Sequence, residues 1–246
     1  MNSLSQILHT ISYMGLPLLF AMVLHEYAHG WMAEKCGDST AKLEGRLTIN
    51  PLAHIDPFGT VILPLICLML PGSFLFGWAK PVPIDPRNMH QPRRDMALTA
   101  AAGPGMNLLL AVVSALLLAV LLTVEPTLTL RKTAEADASS GLFATMFLRP
   151  IAVMALYSVM INVFLALFNL LPIPPLDGGR ILTALLPPKP AMALARLEPY
   201  GMLILVGLIV FDKELGVIHT ITGTFAKGLS GTILSTALSL RPGVAQ

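Results

Sequence analysis

Long apolar segments, separated by short polar stretches rich in glycine and proline, set the plan of this chain. Residues 4–31 form the first, and a helix of that length is enough to cross a hydrocarbon core of ~30 Å. Residues 37–56 mix polarities and contain Gly37, Gly45 and Asn50-Pro51, which predicts loop or short strands rather than helix. Asp56-Pro57 then reads as a helix start, with Asp as N-cap and Pro at the first helical position. The apolar run over 58–70 is short for a full span and predicts a tilted or partial helix. Residues 71–94 are rich in Gly and Pro, and 74–84 alternates in the manner of a strand.

Residues 104–124 carry no charge and give the clearest span; the small residues Ala100 to Gly103 before them let helices approach closely. A polar loop follows over 125–149, then a second charge-free span over 150–171. Pro172, Pro174 and Pro175 break that span, because a helix cannot continue through them. A helix is expected over 192–211 after a proline-rich connection at 187–190. The stretch 215–240, interrupted by His219 and Lys227, spans the membrane or lies at its surface. The expected fold is an all-α polytopic membrane protein with about five to six membrane segments. A short strand-like or re-entrant element is expected over 74–84.

Composition supports that class. Of 246 residues, 54% are hydrophobic and 12% charged, with a mean hydropathy of +0.72, whereas soluble domains carry about 25% charged residues. The length suits one integral domain over 1–246 with the lipid bilayer as its surroundings. A net charge of +2 without a basic run excludes nucleic acid as a partner. The positive charges instead indicate topology. No Lys or Arg precedes Lys35, while Lys35, Lys42 and Arg46 follow the first segment. The positive-inside rule therefore places the N-terminus outside and residues 25–29 toward the cytoplasmic side of the cell membrane. Lys80, Arg87, Arg93 and Arg94 put their loop on the same inner side. The first segment lacks a basic leader and is kept as a membrane helix rather than a signal peptide. Cys36 and Cys67 form no metal or redox pair.

The first segment ends in His25-Glu26-Tyr27-Ala28-His29, an H-E-x-x-H pattern. Histidines four residues apart share a helix face and can hold one Zn²⁺, with the intervening Glu as general base toward water. Between residues 7 and 31 the only acidic, basic or histidine side chains are His9, His25, Glu26 and His29. A carboxylate in hydrocarbon costs roughly 2.5–3.5 kcal/mol or more, so Glu26 in such a segment calls for a function. A catalytic zinc needs a third protein ligand and an open position. Asp177 is the best candidate, on the side of the membrane to which the broken span returns. It serves equally well as an N-cap for a helix beginning near Arg180. His54 is either an accessory polar group near the metal or a loop histidine at headgroup level. Asn169 either offers an amide to a substrate carbonyl or simply ends its helix. His9, His90 and His219 are given no role.

These residues resemble the site-2 protease family of intramembrane zinc metalloproteases. The likeness rests on His25-Glu26-x-x-His29 and on Asn169-Leu-Leu-Pro-x-Pro-x-Leu-Asp177-Gly. It extends to Asn50-Pro51-x-x-His54-x-Asp56-Pro57-x-Gly59, Gly77-Trp78-Ala79-Lys80-Pro81-Val82-Pro83 and Ala102-Gly103-Pro104-Gly105-x-Asn107. The resemblance implies a catalytic core over about 4–182, with His25, His29 and Asp177 as zinc ligands. It implies Glu26 as the general base, Asn169 as a substrate-positioning amide, and transmembrane protein substrates. The 77–84 stretch is similar to the family's element beside the active site, where an unwound substrate can add as a strand. No PDZ or CBS domain is apparent. A zinc transporter built on the same ligands would be expected to place further ligands along its path, yet the spans at 104–124 and 150–171 carry no charge. A proteolytically silent relative would have no need of the intact Glu26.

Overall fold

The computed structural model describes residues 4–62, 77–125, 141, 143–210, 216 and 219–239. Among these, all regular structure is helical and no strand forms. The helices are α1 (Leu4–Lys35), α2 (Thr40–Leu43), α3 (Pro92–Val124), α4 (Arg149–Asn169), α5 (Asp177–Leu185), α6 (Pro188–Ala195), α7 (Gly201–Val210) and α8 (Phe225–Ser239). Short 3₁₀ or π turns at Pro51–His54, Pro57–Ile62, Pro86–Asn88, Ala144–Leu148, Glu198–Tyr200 and His219–Thr224 punctuate them. Among the described residues, two helices are long and apolar enough to cross a bilayer, Pro92–Val124 and Met146–Asn169. Several expectations lie partly or wholly outside the described residues: 63–70 of the short apolar run, Cys67, 74–76 of the alternating stretch, and 126–140 of the polar loop. Parts of 211–218 and the end of the chain from 240 do so as well.

The described residues fall into two compact units. The first comprises those within 1–21, 107–168 and 206–246. Its core is a stripe of small side chains, Ala111, Ala115 and Ala119, which repeat every four residues on one face of α3. Val159 and Val163 of α4 and Ala237 of α8 pack against this stripe, the close approach that small residues permit between helices in lipid. Leu109, Val113 and Val120 of α3 are exposed, an apolar surface suited to hydrocarbon. Polar side chains join the same helices. Asn107 donates to the Ala21 carbonyl (3.2 Å) and to Asn162 Oδ1 (2.8 Å). Asn162 in turn donates to the Ser158 carbonyl (2.9 Å), and the hydroxyls of Ser114 and Ser158 meet at 2.8 Å.

The second unit comprises the described residues of 22–106 and 169–205. Here the structure departs from sequence expectation in the strand-like stretch, whose described residues 77–84 form no strand, and in three helical places. Residues 40–43 form a helical turn rather than loop or short strand, because the Asp38 carboxylate accepts from the Thr40 N–H at 3.1 Å and starts it. Helix α3 begins at Pro92, twelve residues before Pro104, and runs straight through that proline. Its start uses Pro92 at the first position and Asp95, whose carboxylate accepts from the Gln91 N–H at 2.7 Å. The expected helix over 192–211 is three pieces, since Pro199 cannot donate the helical bond and the chain turns at Glu198–Tyr200. The Asp56 cap is present: its Oδ1 accepts from the Gly59 N–H at 2.6 Å.

Candidate metal centre

Helical spacing places His25 and His29 on one face of α1, with their rings edge to face at 4.6 Å between centroids. Their Nε2 atoms stand 3.0 Å apart. His29 Nδ1 lies 2.7 Å from the Thr99 carbonyl. That carbonyl can only accept, so Nδ1 carries the proton and Nε2 presents a lone pair.

Asp177 reaches the same point from the other direction. The prolines at 172, 174 and 175 force 170–176 into tight turns, closed by bonds such as Ile173 N–H to the Leu171 carbonyl (2.8 Å) and Leu176 N–H to the Ile173 carbonyl (2.9 Å). Only glycine fits where the chain then re-enters helix. A Cβ on Gly178 would lie 2.2 Å from the Leu170 carbonyl oxygen, and one on Gly179 2.6 Å from Pro174 N. Asp177 becomes the first residue of α5, while Leu176 occupies the cap position without a side-chain bond. The carboxylate is not spent on capping. Its Oδ2 lies 3.2 Å from His25 Nε2 and 3.3 Å from His29 Nε2, and it is buried without a hydrogen bond of acceptable geometry.

His25 Nε2, His29 Nε2 and Asp177 Oδ2 thus converge in a triangle with edges of 3.0, 3.2 and 3.3 Å. Tetrahedral zinc, with bonds of ~2.0–2.1 Å, sets its ligand atoms about 3.3 Å apart. The two-nitrogen, one-oxygen donor set and the unpartnered Oδ2 fit that ion. Gly103 of α3 leaves the space the site needs, since a Cβ there would lie 2.4 Å from His29 Nε2 and 2.7 Å from His25 Cε1.

Glu26 points to a different partner. Its Oε2 accepts from the Val82 N–H at 2.9 Å. Val82 belongs to the segment that alternation marked as strand-like; residues 77–85 run without regular structure but are tied down at several points. Trp78 N–H donates to the Gly59 carbonyl (3.1 Å) and Lys80 N–H to the His54 carbonyl (2.9 Å). The Thr60 hydroxyl donates to the Trp78 carbonyl (2.8 Å). His54 is buried outside the ligand group, with Nε2 at 2.8 Å from the Thr48 carbonyl. Asn169 is the last residue of α4, half-buried at the start of the break that ends in Asp177. Sequence reading gave Thr99 and Gly103 no role at the site, and it placed Val82 beside the site only as part of the 77–84 element. Gly103 left a signal as the end of a run of small residues, and Thr99 left none.

Peptidase family M50 matches residues 13–210 of the chain. A Bacillus subtilis (strain 168) protein provisionally named zinc metalloprotease YwhC is 36% identical over 211 residues, covering 85% of this chain and 84% of the relative. A Mycolicibacterium smegmatis protein provisionally named zinc metalloprotease Rip2 is 31% identical over 206 residues, 81% of this chain and 70% of the relative. No solved structure matches. With both the motif-bearing residues and the length of the chain accounted for, it belongs to peptidase family M50, the site-2 protease family of zinc metalloproteases.

Proposed function

We propose that this chain is a multi-pass intramembrane protease of the cell membrane. It would hydrolyse peptide bonds within or near the transmembrane segments of other proteins, with its active site toward the cytoplasmic side. The observation that carries the reading is the convergence of His25, His29 and Asp177 beside Glu26, at the end of a 32-residue helix whose upper part is apolar.

His25, His29 and Asp177 would hold the ion, with His29 kept in the tautomer that leaves Nε2 free to ligate by its bond to Thr99. Zinc bound there supplies Lewis acidity, lowering the pKa of water toward ~7 and polarising the scissile carbonyl. Glu26, with Oε2 held by the Val82 N–H, has Oε1 left to take the proton of the attacking water and pass it to the leaving amine. Asn169 steadies the substrate carbonyl through its amide. A transmembrane substrate pairs all its peptide groups internally and must unwind before attack, which favours substrates with helix-weakening residues. Residues 77–84 are the element along which the unwound stretch would lie. The remaining architecture of the proposal is five to six membrane segments and a catalytic core over about 4–182.

The test is reconstitution in liposomes with a single-span peptide carrying a Gly-Pro interruption in its apolar segment. Glu26→Gln should retain zinc and lose cleavage by roughly 10²–10⁴-fold, the usual contribution of acid–base catalysis. Cleavage at the wild-type rate by the zinc-loaded variant would remove Glu26 from the role of base.

A further inference from the structure

Arg46 lies far from the metal ligands in sequence, and no motif reading assigned it a role beyond topology. Its guanidinium donates to the carbonyl of Ala53, to that of Lys80 at 2.9 Å and to that of Pro81 at 3.2 Å. The Pro81 carbonyl and the Val82 N–H are two ends of one planar peptide group. In the trans form they point in opposite directions. The Val82 N–H is the group that holds Glu26 Oε2. From the geometry we infer that Arg46 is a positioning residue for the general base, acting through the single rigid plane of the 81–82 peptide.

Three further observations support it. Pro81 and Pro83 have no N–H, so within 81–83 Val82 is the one backbone donor that can meet Glu26. Bonding a cation to a peptide carbonyl polarises that peptide's N–H and strengthens the bond on its far side. The guanidinium also ties the plane to a fixed base. Ala53 belongs to the Pro51–His54 turn, whose His54 carbonyl receives the Lys80 N–H at 2.9 Å. The planar fork of Arg suits this task in a way that a point charge does not. Removing it leaves the Lys80 and Pro81 carbonyls without this donor and frees the plane to tilt.

The inference rests on Glu26 as the base, so the test separates the two. Arg46→Ala, Arg46→Lys and Glu26→Gln are compared with wild type in the same liposome assay. Zinc content and amide exchange across the peptide covering 78–85 are measured beside kcat and KM. Arg46→Ala should keep its zinc and hold KM within about threefold, while kcat falls roughly 10- to 100-fold, the cost of a misplaced catalytic group. The exchange gain should be confined to 78–82. Arg46→Lys should fall between, since one ammonium reaches one or two of the three carbonyls. A wild-type kcat in Arg46→Ala, a rise in KM alone, or unchanged exchange at 78–82 would overturn the clamp. Should Arg46→Ala fail to fold, Arg46→Lys is read by the same criteria. Full cleavage by Glu26→Gln would instead sink the base assignment, a result that none of the Arg46 outcomes can imitate.

Discussion

Two clusters of buried polar side chains sit in this apolar chain, and they are built on opposite rules. Along α3 and α4, Asn107 and Asn162 are 0% and 1% exposed, and each amide donor meets an acceptor. At the end of α1, His25, His29 and Asp177 are 8%, 5% and 6% exposed, and their Nε2, Nε2 and Oδ2 atoms converge on one point. Burial and polarity are the same in both. What differs is the pairing of donors with lone pairs. A paired cluster holds helices together in lipid, while two imidazole nitrogens and a carboxylate oxygen converging on one point make a group that could hold a cation. A buried polar residue on a membrane-length helix is therefore a candidate site only after its hydrogen bonds have been accounted for.

The strongest way to break this contrast is to turn one cluster into the other. Asp177→Asn replaces a ligand oxygen with an amide that can donate to a histidine Nε2, as the Asn107–Asn162 pair does. Zinc affinity should fall by more than about 100-fold, beyond the range seen when only an outer partner of a ligand is lost. Cleavage should disappear with it. The metal-free protein should unfold at the same temperature as wild type or higher, because a lone-pair conflict has been relieved. Zinc titration followed by thermal unfolding in detergent checks both halves. Wild-type zinc affinity in this variant would remove Asp177 from the ligand set.

Gly103→Ala probes the space around the ligands without touching a polar group. The new methyl would sit 2.4 Å from His29 Nε2, so the imidazole must move. Zinc affinity should drop by about 10- to 100-fold, the cost of disturbing a ligand's surroundings. Alanine favours the helix by about 1 kcal/mol over glycine, so metal-free stability should not suffer. Unchanged zinc binding would mean that α3 shifts to accommodate the methyl.

Much of this arrangement was legible in the sequence because it is local. The HExxH spacing brings His25 and His29 onto one helix face, Asp56-Pro57 signals its own cap, and the charge-free runs mark α3 and α4. Pro172 to Pro175 announce the break that delivers Asp177. The rest depends on pairing between segments far apart in the chain. Glu26 meets Val82 across 56 positions and His29 meets Thr99 across 70, and no local pattern encodes such a register. The start of α3 was missed for a related reason. Arg93, Arg94 and Asp95 look like loop when apolar runs define helices, although a helix can extend beyond its apolar band. Whether Asp177 capped α5 or faced the histidines was equally undecidable from spacing, since both uses place a carboxylate in the same turn.

A smaller effect tests the paired cluster. Asn162→Leu leaves the Asn107 amide without its 2.8 Å acceptor and should cost about 1–2 kcal/mol, the penalty for an orphaned buried donor. The double change Asn107→Leu with Asn162→Leu removes both partners and should cost less than the sum of the singles. Zinc binding should be unaltered in all three. Loss of zinc from Asn162→Leu would show that the two clusters are not independent.

Asp38 completes the contrast as a buried carboxylate of the opposite kind to Asp177. It accepts from the N–H and hydroxyl of Thr40, the Asp85 N–H (2.7 Å) and the Asn88 amide (3.1 Å). Burial pushes its pKa up, but these donors prevail and hold it below the ordinary carboxylate range. A carboxyl depressed on folding contributes stability above its unfolded pKa of ~3.9, and that contribution is lost as pH falls through the folded value. Between pH 8 and 5 the Asp38 contribution should therefore be constant, and it should decline only below about pH 4. Unfolding midpoints of wild type and Asp38→Asn, compared across that range, should differ by a fixed amount above pH 5 and converge in acid. A gap that persists unchanged below pH 3 would mean that the donors around Asp38 are satisfied without its charge. The distinction between a carboxylate surrounded by donors and one facing lone pairs would then be one of geometry alone.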